Sequence, residues 1–260
     1  MITCDSVLES TPNIDKAHKV VVSLSGGLDS SILLHLMVRK FGKDNVHALS
    51  FNYNQRHDVE LHCATYTAQQ LGVTHKVVDV SFLGDIAKDV SAMVKGSVAT
   101  PDVADVIGDP QPVTYMPNRN MILASITAGY AEAVGADGIA LGIQAIDSYC
   151  YWDTTPDFYS AIENVLLLNR KHRIYFLPAF LNLSKADEIQ LGIELKANFK
   201  YMWTCYNPTI PVNERVAAKT YIPCGVCPSC AERLAAFRKA GVEDPNRRGV
   251  TVSVDGFAIS

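Results

Sequence analysis

An α/β fold built on a doubly wound, five-stranded parallel sheet is predicted by three features of this 260-residue chain. The run Lys19-Val20-Val21-Val22-Ser23-Leu24 passes through Ser25-Gly26-Gly27 into Ser30-Ser31-Ile32-Leu33-Leu34, which reads as strand, tight turn, helix. Short apolar runs then alternate with helical segments, the pattern of a parallel sheet covered on both faces. Finally, 48% apolar residues over this length can bury a large core.

The elements follow in order. Residues 46–52 predict a second strand, 58–71 a helix ended by Gly72, and 76–80 a third strand. Residues 120–134 predict a helix with Ile122, Ile126 and Tyr130 on one face. Gly138 to Gly142 is a fourth strand, 156–168 a helix opened by Pro156, and 174–177 a fifth strand. A further helix starts at Ser184, with Asp187 placed to complete a capping box. The connection 96–117, rich in Gly, Pro and Asp, is the one long irregular stretch. It is expected to be an active-site lid, with a plain surface insertion as the alternative. Residues 1–200 are expected to form the α/β domain, and 201–260 a segment packed on it.

Composition narrows the function. A net charge of −4 and a pI near 6.0 argue against direct binding to nucleic acid, which usually requires a basic face. No apolar run is long enough to span a membrane, and the polar, acid-bearing start is unlike a signal peptide. Seven cysteines, four of them in one motif, fit a reducing compartment, the cytoplasm, better than a disulfide framework.

Leu24-Ser25-Gly26-Gly27-Leu28-Asp29-Ser30-Ser31 carries the chemistry. Its glycines let backbone approach a ligand, and the helix N-terminus that follows favours an anion. Ser25, Ser30 and Ser31 add hydroxyls, and the Asp29 carboxylate is suited to a phosphate-bound Mg²⁺. That combination describes a pyrophosphate cradle for ATP, although no Walker-type Gly-x-x-x-x-Gly-Lys run is present. Glycine turns without a ligand are the bland alternative.

The second motif is Cys205-x₁₈-Cys224-x₂-Cys227-x₂-Cys230. Four thiolates close a tetrahedral shell around Zn²⁺, which makes the metal structural and stabilises such folds by roughly 10–16 kcal/mol. Redox chemistry of a Cys-x-x-Cys pair and an iron–sulfur cluster are the competing readings.

Together these pieces resemble the PP-loop ATP pyrophosphatases, whose fold is of the adenine nucleotide α-hydrolase type, and within them the 7-cyano-7-deazaguanine synthases (QueC family). Ser25 to Ser30 resembles the family's phosphate loop. Phe51-Asn52-Tyr53-Asn54-Gln55-Arg56-His57 with Glu60 is similar to its Tyr-Gly-Gln-Arg-His segment, and Pro117-Asn118-Arg119-Asn120 to its Pro-Gly-Arg-Asn. Lys185, and the end from Trp203 through Cys230 to Asp244-Pro245, follow as well.

The resemblance implies ATP-dependent conversion of 7-carboxy-7-deazaguanine and ammonia, through an adenylate and an amide, to the nitrile. It also implies a homodimer and the cofactors Zn²⁺ and Mg²⁺. Gln55, Arg56, His57, Glu60, Arg119, Asn120, Asp153 and Lys185 become its candidate substrate or catalytic residues. Taken singly, each also suits an ordinary salt bridge or cap. Two guanidiniums can hold a carboxylate or phosphate, and His57 could move protons near neutrality.

Several departures stand out. Asn54 and Asn118 replace glycines, which is expected to add side chains beside the pocket. Trp152, Thr154 and Thr155 flank Asp153 where the family has Pro, Cys and Arg, and the gap from Cys205 to Cys224 is long. The missing Arg leaves an amide synthase, stopping at 7-amido-7-deazaguanine, as one alternative. A PP-loop sulfur transferase and a nucleotide-binding module without turnover are the others.

Overall fold

The computed structural model describes residues 2–56, 59–96, 99, 112–145, 151–211, 218–253 and 258–259. In chain order these form α1 (Cys4–Ser10), β1 (Val20–Ser23), α2 (Leu28–Phe41), β2 (Val46–Asn52), α3 (Val59–Leu71), β3 (Thr74–Asp79) and α4 (Phe82–Ala87). They continue with α5 (Arg119–Ala133), β4 (Gly138–Leu141), α6 (Pro156–Leu166), β5 (Tyr175–Phe176) and α7 (Lys185–Glu194). The last are β6 (Ala218–Tyr221), α8 (Pro228–Ala240), β7 (Val250–Ser253) and β8 (Ala258–Ile259). No helix among the described residues is long and apolar enough to cross a membrane.

The main sheet is five-stranded and parallel throughout, as expected, and its order is β3-β2-β1-β4-β5. Alternation along β1 explains why its apolar run is unbroken. Val20 and Val22 pack into a layer with α1, α2 and α7, whereas Val21 packs into the opposite layer with α5 and α6. Ala48 and Leu49 divide in the same way on β2, and Ala140 and Ile139 on β4.

Boundaries differ from expectation by small amounts. β3 begins at Thr74, β5 shortens to Tyr175–Phe176, and α6 ends at Leu166. Ser184 and Asp187 do form the capping box that opens α7. A second sheet, antiparallel in the order β6-β7-β8, is absent from the sequence-based expectation. Most of the 96–117 connection lies outside the described residues, although Ala92 N donates to Val113 O across its base at 2.8 Å.

The sheet order reverses between β1 and β4, and there the chain after β1 is held tightly. Gly26 has φ +85°, and a Cβ on it would lie 2.0 Å from the Glu60 carbonyl oxygen on α3. A Cβ on Gly142, just past β4, would lie 2.8 Å from Ser30 N at the start of α2. Neither position has room for a methyl group. Gly129, exposed within α5, meets nothing within 4 Å.

Gly142→Ala should therefore destabilise the protein by about 2 kcal/mol through overpacking. Gly129→Ala should stabilise it by up to about 1 kcal/mol through helix propensity. Urea unfolding midpoints measure both, and opposite signs are expected.

Candidate active site

The loop after β1 is an uncapped helix start. Gly27 is the N-cap of α2 and makes no side-chain capping bond, so the first amides of that helix remain open to an anion. Ser25 N donates to Ser30 Oγ at 3.1 Å, and the two hydroxyls lie 2.9 Å apart. Gly27 N in turn donates to Ser25 Oγ at 3.2 Å. These bonds close the loop before any ligand arrives. Leu24, Leu28, Asp29 and both serines line a cleft at the carboxyl ends of β1, β2 and β4, beside the point where the sheet order reverses. Ser31 is fully buried and does not line it.

Six of the remaining candidates are described in or at this cleft, and one is described away from it. Gln55, Glu60, Arg119, Asn120 and Lys185 line it, joined by Tyr53, Thr114, Tyr151 and Thr154. Asp153 lines a smaller recess that shares Arg119, Tyr151 and Tyr206 with the cleft. Its Oδ2 accepts Asn120 N at 3.3 Å, and Asn120 Nδ2 donates to the Asp153 carbonyl at 3.2 Å. Asp153 thus anchors the first turn of α5, from which Arg119 projects. Arg56 does not line the cleft, because its Nη1 donates to Ala92 O at 3.3 Å. His57 lies outside the described residues.

The departures from the family pattern acquire physical reasons. Asn54 and Asn118 have φ of +60° and +54°, the left-handed region that Asn tolerates better than other side chains. Both are exposed and neither lines the cleft, so the expected crowding of the pocket does not occur. Thr155 caps α6 through Phe158 N at 3.2 Å, and Trp152 Nε1 donates to the Tyr115 hydroxyl at 2.8 Å.

Burial sets the electrostatics. It pushes the Glu60 carboxyl from the usual 4.5 up to about 7, against the pull of the Arg119 guanidinium. It also raises Asp153, again opposed by Arg119, and pushes the Tyr53 phenol up to about 12. For Arg119 itself burial opposes the charge, yet Tyr53, Asp153, Tyr206 and Tyr151 together hold it firmly cationic. Lys185 Nζ lies 3.0 Å from Asp29 Oδ2 and 3.6 Å from Glu232 Oε2. The other Asp29 oxygen, Oδ1, is buried without a hydrogen-bond partner among the described residues. A hard oxygen in that condition suits a divalent cation.

Cys205, Cys224, Cys227 and Cys230 bring their sulfurs within 4.8 Å of one another, a cluster that can hold a metal ion. The Cys205 and Cys224 sulfurs are 3.6 Å apart. A tetrahedron with metal–sulfur bonds of about 2.3 Å has edges of about 3.8 Å, so the spacing suits a closed four-thiolate site. Asn207 N and Cys224 N each donate to Cys205 Sγ at 3.3 Å, which supports thiolate charge. Contacts with its neighbours' sulfurs pull Cys227 down and push Cys205 up, so the cluster shares its charge. None of the described cysteines lines the cleft.

This segment nevertheless forms one wall of it. Trp203, Thr204, Tyr206, Pro228, Ser229 and Glu232 line the cleft, and Trp203 N donates to Gly26 O at 2.8 Å. Behind them, buried Arg233 binds Asp244 at 2.7 and 2.8 Å and donates to the carbonyls of Phe199, at 3.0 Å, and Met202. Tyr206 and Glu232 escaped the sequence reading. Their signal is adjacency, since each lies within two residues of a cysteine of the cluster.

Comparison with known proteins is consistent along the chain. Residues 19–241 match the family model described as "Queuosine biosynthesis protein QueC". The chain is 36% identical over 231 residues to a "7-cyano-7-deazaguanine synthase" of Pseudoalteromonas atlantica, covering 87% of this chain and 97% of that one. It is 37% identical over 237 residues to one of Trichormus variabilis, covering 87% and 96%. Among solved structures, NMN synthetase from Francisella tularensis overlaps with a TM-score of 0.45 at 16% identity, covering 78% of this chain and 71% of that one. NH3-dependent NAD synthetase from Campylobacter jejuni gives 0.44 at 17%, covering 76% and 72%.

The raised Glu60 carboxyl has a thermodynamic consequence. Its folded form binds a proton more tightly than its unfolded form, so its share of stability is present below about pH 4.5 and lost as pH rises through about 7. Between about pH 5 and 8 the parent should lose up to about 3 kcal/mol relative to Glu60→Gln. Denaturant midpoints of both proteins across that range measure it, and parallel curves would contradict the raised carboxyl.

Proposed function

The chain belongs to the QueC family, and on that premise we propose that it makes 7-cyano-7-deazaguanine from 7-carboxy-7-deazaguanine, ammonia and ATP in the cleft above. One observation carries the reading: the uncapped start of α2, with Asp29 and Lys185 beside it, opens into the same cleft as Arg119 and Glu60. In this reading phosphate chemistry and carboxylate binding share one enclosure.

In this reading the amides at the start of α2, with Ser25 and Ser30, cradle the phosphates of ATP. Arg119 pairs with the substrate carboxylate and orients one oxygen toward the α-phosphorus. Attack there forms the carboxyl adenylate and releases pyrophosphate. Ammonia displaces AMP to give the amide and one proton. The amide oxygen then attacks the α-phosphorus of a second ATP and releases a second pyrophosphate, and loss of AMP with two protons leaves the nitrile. Glu60, with its carboxyl near neutrality, is the group in the cleft suited to accept protons and return them to water. Gln55, Asn120 and Tyr53 shape the wall around the heterocycle, and Asp153 holds α5 so that Arg119 points inward. Arg56 follows β2 and is held by the Ala92 carbonyl.

Mg²⁺, where bound at Asp29, offsets charge on the phosphates. The four cysteines would hold one Zn²⁺ as a structural staple fixing residues 201–260 against the ATP-binding domain, residues 1–200. Thiolate sulfur suits zinc, and a closed shell leaves no open position for catalysis. We further assign a homodimer acting in the reducing cytoplasm on small molecules, without direct contact to nucleic acid.

Elemental analysis should find one zinc per chain, and removing it should expose the C-terminal segment to protease. Iron with sulfide, or no metal in folded protein, would contradict the assignment. Purified 7-amido-7-deazaguanine supplied with ATP should yield nitrile and AMP, followed by mass. Asp29→Ala should lower AMP formation by about a hundredfold or more with either substrate. Consumption of the carboxylate without conversion of the amide would make the chain an amide synthase.

A further inference from the structure

We propose that Glu232 is a positioning residue for Lys185, and that it keeps Asp29 available to a divalent cation arriving with the nucleotide. The proposal rests on the ATP reading above and concerns a residue that the reading does not use. Lys185 sits in the first turn of α7, where the helix dipole disfavours a cation, and its side chain is only 13% exposed. Two carboxylates offset that cost from different elements. Asp29 belongs to the phosphate loop at 3.0 Å, and Glu232 to α8 at 3.6 Å. Coulomb attraction falls only as the inverse of distance, so the two pulls differ by about a fifth.

Lys185 is thus shared rather than owned by Asp29. One Asp29 oxygen faces the ammonium, while Oδ1 is buried without a hydrogen-bond partner among the described residues. A cation taking both oxygens must displace the lysine. Glu232 gives Lys185 a second carboxylate to hold when it leaves Asp29, and keeps its ammonium over the cleft, where phosphate oxygens would meet it. Without Glu232 the lysine would lose one of the carboxylates that draw it away from Asp29, and would compete more strongly with the cation. Glu232 lies two residues after Cys230 on α8, so the cysteine cluster sets where this second acceptor stands.

Simple electrostatics predicts the opposite sign. Glu232 is an anion beside a site for a polyanion, so its neutralisation alone should tighten nucleotide binding. Calorimetric titration with an ATP analogue carrying a methylene in place of the α,β-bridging oxygen separates the two accounts. In excess Mg²⁺, Glu232→Gln should weaken analogue binding about tenfold; with EDTA it should bind within about twofold of the parent, or more tightly. Glu232→Asp should recover most of the Mg²⁺-dependent affinity, with metal content and melting temperature unchanged in both variants. In a Lys185→Met background, Glu232→Gln should add nothing.

Unchanged or tighter binding in Mg²⁺ would overturn the proposal. So would equal weakening in EDTA, or weakening that persists without Lys185. Failure of the parent itself to bind the analogue would sink the ATP reading, and this inference with it.

Discussion

The phosphate loop is held by two contacts that leave no room for a side chain. Gly26 lies against the first turn of α3, and Gly142 lies under the start of α2. Each contact forces the backbone after β1 into one path, with the α2 amides turned into the cleft. The backbone oxygen of Glu60 meets Gly26, so the same contact places the Glu60 side chain beside the loop. A loop fixed this tightly has its ligand-binding geometry set before ligand arrives, which reduces the ordering cost of binding.

The C-terminal segment is bound to that loop rather than appended to the sheet. Trp203 N bonds to Gly26 O, Trp203 Nε1 bonds to the Cys205 carbonyl at 2.9 Å, and Arg233 gathers the carbonyls of Phe199 and Met202. Arg233 and Asp244 are almost fully buried, and their charges are matched by paired hydrogen bonds. Losing either partner would strand the other charge, a cost of about 3–5 kcal/mol. The cysteine cluster therefore acts at a distance of a few residues on the cleft wall, through Tyr206 and Glu232.

Much of this was legible in the sequence because it depends on local pattern. The unbroken Val20-Val21-Val22 run implied a strand buried on both faces, and the Ser-Gly-Gly turn implied an uncapped helix start. Ser184 and Asp187 announced their capping box. What stayed hidden depends on long-range geometry. Asn54 and Asn118 looked like intrusions into the pocket, yet a left-handed backbone turns both to solvent. Ser31 looked like a phosphate ligand, yet the helical turn carries it into the core. The short strands of the second sheet carry too little alternation to declare themselves, and Glu232 reaches the cleft only because α8 packs against α7.

On the proposed route both carboxylate oxygens leave on AMP, each through attack on an α-phosphorus. Substrate labelled with oxygen-18 at both carboxylate positions tests it, with AMP and pyrophosphate analysed by mass spectrometry after full conversion. The account predicts one labelled oxygen in each of the two AMP molecules formed per nitrile, and none in pyrophosphate. Label in pyrophosphate, or lost to water with unlabelled AMP, would contradict it.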